Sequence, residues 1–194
     1  MKKVKEELSM MCNQAKEMLR LAYLGFKHHS LKRIEEAKEI GKGIHLQSEE
    51  LTTLLVKEEV ASLVGFPGHF ERIGDAIESI LTTTQTKIKE GLMLSDKALA
   101  EVDLIFTGID ELLSCLSDNI QIKNKVILEH MVERINGLNR LASESATKHE
   151  ERLIAGICMP KVGPLYLNIL DSLRQINWHI KEMILHQNMG EGPK

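Results

Sequence analysis

Apolar residues recur every three or four positions through almost all of this 194-residue chain, and only four prolines interrupt the pattern. Proline removes a backbone donor and clashes with the preceding helical turn, so it marks where helices cannot run. Pro67, Pro160, Pro164 and Pro193 leave long stretches free of it. Helical spacing over such runs confines the chain to long amphipathic helices. Hydrophobic residues make up 43% of the chain but aromatics only 4%, so the core must be aliphatic, from Leu, Ile, Val, Ala and Met.

Taken in order, residues 4 to about 27 form a first helix on Leu8, Met11, Ala15, Met18, Leu19, Ala22 and Phe26. His28-His29-Ser30 interrupts it, with Ser30 as N-cap of the next. The second helix, about 31 to 64, turns Ile34, Ala37, Ile40, Ile44, Leu51, Leu54 and Leu55 inward, and Gly41 and Gly43 weaken it locally. A third opens at Gly65-Phe66-Pro67-Gly68 and ends near Gly91. Ser95-Asp96 starts a fourth, which breaks near Ser117–Asn119. A fifth runs from about 122 to 156, and a sixth from about Leu165 to Gln187 after a Pro- and Gly-containing loop.

The six helices divide as three plus three. Setting Phe70 to Ile80 over Leu173 to Met183 places Phe70 on Leu173, Ile73 on Ile176, Ile77 on Ile180 and Ile80 on Met183. The expected fold is all-α: six long helices as two tandem antiparallel three-helix bundles, joined end to end. Residues 1–91 form the first bundle and 92–189 the second, with 190–194 a frayed tail.

The third helix carries the chemistry. Glu71, Asp75 and Glu78 make a stripe about 120° round from the apolar face. Gly74 lies between the two, where a missing side chain lets another helix approach. A solvated face would use the same spacing, and acidic residues in a first turn also suit the helix dipole. Glu35 with Glu39, and Glu129 with Glu133, repeat the one-turn spacing elsewhere, and Arg72 has carboxylates within reach. Lys and Arg number 25 against 28 Asp and Glu, so there is no basic footprint for nucleic acid. Cys12, Cys115 and Cys158 are widely spaced and form no CxxC, which reads as reduced thiols in a cytoplasm. No apolar run approaches the ~18 residues of a membrane span. Glu-x-x-His, His-Glu-x-x-His, P-loop, G-x-S-x-G and G-x-G-x-x-G motifs do not occur, so no enzyme and no catalytic residue is expected.

Phe70-Glu71-Arg72-Ile73-Gly74-Asp75 resembles the ERIGD signature of the PhoU family, the phosphate-uptake regulators. In the second half, His149-Glu150-Glu151-Arg152-Leu153 precedes Leu170-Asp171-Ser172-Leu173-Arg174-Gln175-Ile176-Asn177-Trp178-His179-Ile180. That pattern is similar to the degenerate second motif of PhoU domains attached to sodium–phosphate cotransporters. The resemblance implies metal binding through E/D-x-x-x-D pairs, here Glu71 and Asp75. Oxygen ligands of that kind suit magnesium, calcium, manganese or iron. Glu35 and Glu39 would join them if the bundle brought them alongside. Arg174 and Trp178 stand where the second pair would be, and His179 alone is not a site. His149 is expected to order its own bundle.

The resemblance further implies a cytoplasmic regulator or adaptor of phosphate uptake that docks on a phosphate transporter or sensor kinase at the membrane face. Self-association into a homo-oligomer is compatible with it. Two other readings stay open: a metal-free structural helical-bundle interaction module, and a metal-dependent hydrolase on the acidic stripe.

Overall fold

The computed structural model describes residues 2–57 and 63–189, the side chains of 187–189 excepted. Among the described residues there are six α-helices: α1 (Lys2–His28), α2 (Leu31–Lys57), α3 (Phe66–Lys89), α4 (Asp96–Ile122), α5 (Lys125–Ile154) and α6 (Gly163–Met189). No strand occurs among the described residues. The part of the expected second helix at 58–62, and the expected frayed tail, lie outside them. Leu63 to Gly65 form a turn, so α2 does not reach residue 64.

Local chemistry sets the ends. Ser30 Oγ accepts from the Arg33 amide at 3.4 Å and Ser95 Oγ from that of Ala98 at 3.3 Å, both capping the helix that follows. Pro67 sits in the first turn of α3, where its missing N–H leaves no helical bond unmade. The break expected at Ser117–Asn119 falls later. Leu116 and Ile120 continue the buried stripe of α4, and buried Asn119 accepts from the Asn124 amide at 2.8 Å. Lys123, with φ of 47°, ends the helix, and Asn124 caps α5.

The three helices of each half pack on one another, but the halves are not joined end to end. α1 lies along α4 and α3 along α6. Lys5 bonds Gln121 O, Cys12 Sγ bonds Leu113 O and Lys27 bonds Asp103, which makes α1 and α4 antiparallel. His69 meets His179 while Thr83 meets Asn168, so α3 and α6 are antiparallel too. The four central helices therefore share one apolar core, flanked by α2 against α1 and α3 and by α5 against α4 and α6. Periodicity says which face of a helix is buried and not against what, and that is why the end-to-end expectation failed. The eight residues aligned between α3 and α6 are all fully buried.

Close helix approach occurs at glycines other than Gly74. A Cβ on Gly74 would lie 3.8 Å from Ile44 Cγ2, an ordinary contact, whereas one on Gly25 would lie 2.9 Å from Ile34 Cγ1. The α1 C-terminus is closed by a buried cation. Lys87 Nζ donates to Phe26 O at 3.2 Å and to His29 Nε2 at 2.6 Å, and lies 4.6 Å from the Phe26 ring centroid. Burial pushes the Lys87 amine below its ordinary value.

Candidate functional site

The acidic stripe of α3 faces a cleft of about 410 Å³ shared with α2, lined by Gly41, Lys42, Ile44, His45, Glu71, Asp75 and Glu78, among others. Antiparallel packing of α2 on α3 sets its register. His45 Nδ1 donates to Glu71 Oε1 at 2.8 Å and Ser48 Oγ to Glu71 Oε2 at 3.2 Å. Arg72 Nη1 donates to Asp75 Oδ2 at 3.2 Å, the neighbour pairing that the sequence suggests. Glu71 is half-buried, while Arg72, Asp75 and Glu78 are exposed. The cleft is thus a carboxylate-rich surface with two cations and one imidazole at its edges.

Glu35 and Glu39 do not join it. Glu35 accepts from Lys38 at 3.1 Å and from Gln85 at 3.2 Å. Gln85 is ten residues beyond Asp75 on α3, about 15 Å along the axis. Glu39 pairs with Lys42 at 2.6 Å. The same register that brings His45 to Glu71 carries Glu35 toward the far end of α3.

These residues do not fit a multidentate hard-metal centre. Both Glu71 oxygens already hold His45 and Ser48, Asp75 is held by Arg72, and Lys42 lines the same cleft. Among the described residues no group of three or more His, Cys, Asp or Glu side chains converges on one ion. Glu71 and Asp75 together supply two carboxylates one turn apart, whereas Ca²⁺ takes 6–8 oxygen ligands and Mg²⁺ demands an octahedron.

The corresponding face of the second half is built differently. Arg174 and Trp178 are exposed beside Asn139, and Arg174 reaches Asp171 at 3.6 Å. Arg152 and His149 lie inside rather than on this face. Arg152 makes a two-pronged pair with Glu101, at 3.0 and 2.8 Å, and Tyr166 donates its hydroxyl to the same carboxylate. One carboxylate thereby ties α4, α5 and α6 together. Burial works to raise the Glu101 carboxyl, but the bonds from Arg152 and Tyr166 outweigh it and hold it below the usual range. Burial pushes the Tyr166 hydroxyl up, and the Glu101 bond adds to this. His149 is buried against the Tyr166 ring, with centroids 4.5 Å apart.

Sequence reasoning missed His69. On α3 it meets His179 of α6, Nδ1 to Nδ1 at 3.0 Å, so one ring must carry the proton and donate to the other. His186 and Trp178 complete the cluster, with ring centroids 6.0 and 6.3 Å from that of His69. Burial, then the neighbouring His69 and Arg72, pushes His179 down to about 4; burial and His186 lower His69. His69 adjoins Gly68 at the start of α3, and no residue pattern links it to α6.

Six long helices in two groups sharing a central layer, with an acidic motif on the third, define the class: an all-α protein of PhoU fold. PhoU from Pseudomonas aeruginosa superposes with a TM-score of 0.88 at 14% identity, covering 98% of this chain and 97% of that one. The phosphate transport system regulatory protein PhoU from Streptococcus pneumoniae gives 0.85 at 12% identity, over 97% and 95%. No protein-family model and no curated protein sequence matches the chain. No helix among the described residues is long and apolar enough to cross a membrane.

Proposed function

We propose that this protein is a cytoplasmic, non-catalytic regulator of phosphate uptake, which docks through its Glu71/Asp75 cleft on a phosphate transporter or its sensor kinase. The observation behind this reading is the PhoU fold along the whole chain, combined with Glu71, Gly74 and Asp75 of the E-R-I-G-D motif lining an open cleft. The second-half pattern around Arg174 and His179 supports a sodium-coupled phosphate transporter as the partner class. Docking would work through charge: a carboxylate surface recognises a basic patch and excludes an acidic one. No step is routed through a metal, because no three His, Cys, Asp or Glu side chains converge on one point among the described residues.

The test is labelled-phosphate uptake in the host strain lacking the gene. Loss of the protein should leave uptake unrestrained at high external phosphate. Re-expression should restore restraint, and Glu71→Ala/Asp75→Ala should restore it poorly while melting like the wild type. Unchanged uptake on deletion would overturn the proposal. Elemental analysis of the purified protein and of this variant tests the metal: a stoichiometric hard cation, lost in the variant, would replace charge docking with a metal-loaded surface.

A further inference from the structure

A recess of about 170 Å³ opens where the connection before α4 meets the loop between α5 and α6. Three sulfur side chains line it, Met93, Cys158 and Met159, together with the imidazole of His149. The rest of the lining is apolar apart from Ser95, whose oxygen already caps α4, and no carboxylate is present.

His149 is the informative member. It is 1% exposed, and neither ring nitrogen has a hydrogen-bond partner in the protein. Buried imidazoles are ordinarily bonded through at least one nitrogen, and leaving both unpaired carries the full desolvation penalty. Gly163 leaves space beside the ring, since a Cβ there would stand 3.5 Å from His149 Nε2. Burial, reinforced by Arg152, lowers the pKa of His149 and so favours the neutral, metal-binding form.

The loop that brings the sulfur atoms is firmly built. Gly156 adopts φ of 69°, its amide bonds Leu153 O at 3.0 Å, and the Ile157 amide bonds Arg152 O at 2.9 Å. This closure over the end of α5 is a Schellman motif, and it presents Cys158 directly after it. The Cys158 amide also bonds Arg152 O at 3.3 Å, and Met159 O accepts from Val162 at 3.0 Å. Cys158 is half-buried, whereas Met93 and Met159 are 61% and 59% exposed and stand at the rim. Their unbranched thioethers can fold over an occupant.

We propose that this recess binds a soft, thiophilic metal ion, with Cu(I) the species that fits, through Cys158 thiolate, His149 imidazole and the Met93 and Met159 thioethers. The donor set selects the ion. Thiolate and thioether ligands favour Cu(I), hard cations require oxygens that the recess lacks, and structural zinc requires four Cys or His where only two are present. An ion held there bridges the connection before α4 to the loop after α5, and it stabilises the folded chain by mass action. The site is separate from the acidic cleft and independent of the function proposed above.

The test is an anaerobic titration of the full-length protein with Cu(I) in competition with bicinchoninate, followed by thermal melting. One equivalent should be withdrawn from the chelator and the melting temperature should rise. Cys158→Ala should weaken binding by at least about tenfold, and so should the volume-conserving pair Met93→Leu/Met159→Leu. Cys115→Ala should bind as the wild type does. No withdrawal of Cu(I), or wild-type affinity in both the Cys158 and the methionine variants, would overturn the proposal.

Discussion

Replacing Arg152 by Met keeps the aliphatic stem and removes the guanidinium from Glu101. The two side chains are 11% and 16% exposed, so the pair is largely withdrawn from water. Removing one partner of a buried pair costs about 3–5 kcal/mol, because the other charge is stranded. Tyr166 still donates to Glu101 and some solvent reaches it, which places this case near the lower end, about 3 kcal/mol. For a chain of this length each kcal/mol moves the melting temperature by about 2–4 °C, so Arg152→Met should melt about 6–12 °C lower. Adding Glu101→Gln removes the stranded charge and should recover about half of that loss. The pH dependence has a definite sign. Glu101 in the wild type titrates below its ordinary value of 4.5. Its stabilising contribution is therefore present above that value and is lost as pH falls through the lower folded one. In Arg152→Met the carboxylate favours protonation, so the deficit against wild type should shrink from pH 7 toward pH 4. Thermal and urea melts across that range measure both effects. A melting loss under about 2 °C, or no recovery with Glu101→Gln, would refute the reasoning.

The His69–His179 contact should make stability fall on acidification. Both folded values lie below 6.5, that of His179 at about 4, so the contribution is present above 6.5 and is lost as pH falls through the folded values. Arg72 and His186 oppose protonation of this pair, and Asp75 and Glu182 favour it. After allowance for solvent screening the loss is roughly 1–2 kcal/mol. His179→Gln should flatten the slope of urea stability between pH 7 and 4.5, and an unchanged slope would remove the pair as its cause. Gly74→Ala should be stabilising by about 0.5–1 kcal/mol, since helix propensity improves and Ile44 has room. Gly25→Ala should cost about 1–3 kcal/mol by overpacking against buried Ile34. Paired thermal melts decide between them, and equal effects would contradict the packing described.

Helix number and inward faces were legible because a stripe such as Phe70, Ile73, Ile77 and Ile80 has one period, and every member is buried. The Asp75–Arg72 pairing was also readable, as the two lie one turn apart. What escaped depends on partners distant in sequence. Glu101 meets Arg152 and Tyr166 across 51 and 65 positions, and His69 meets His179 across 110. No local spacing encodes those meetings. Gly74 stood out because of the motif around it, yet Gly25 is among the glycines that are crowded, identifiable only once Ile34 is placed across from it. Asn119 looked like a helix breaker, but as a buried acceptor for Asn124 it secures the turn after α4.

The shared central layer has a mechanical consequence. At the seam of α1 and α4, Phe106 packs against Tyr23 and Phe26, with ring centroids 5.2 and 6.3 Å apart. A cut between α3 and α4 would leave each fragment with such a seam open to water, so neither is expected to fold alone, and unfolding should be a single transition. Helices of 27 residues span about 40 Å, and with two such seams the molecule resists hinging. A partner seated on the α2–α3 face would therefore displace α5 and α6 with it, as one end of a plank moves the other.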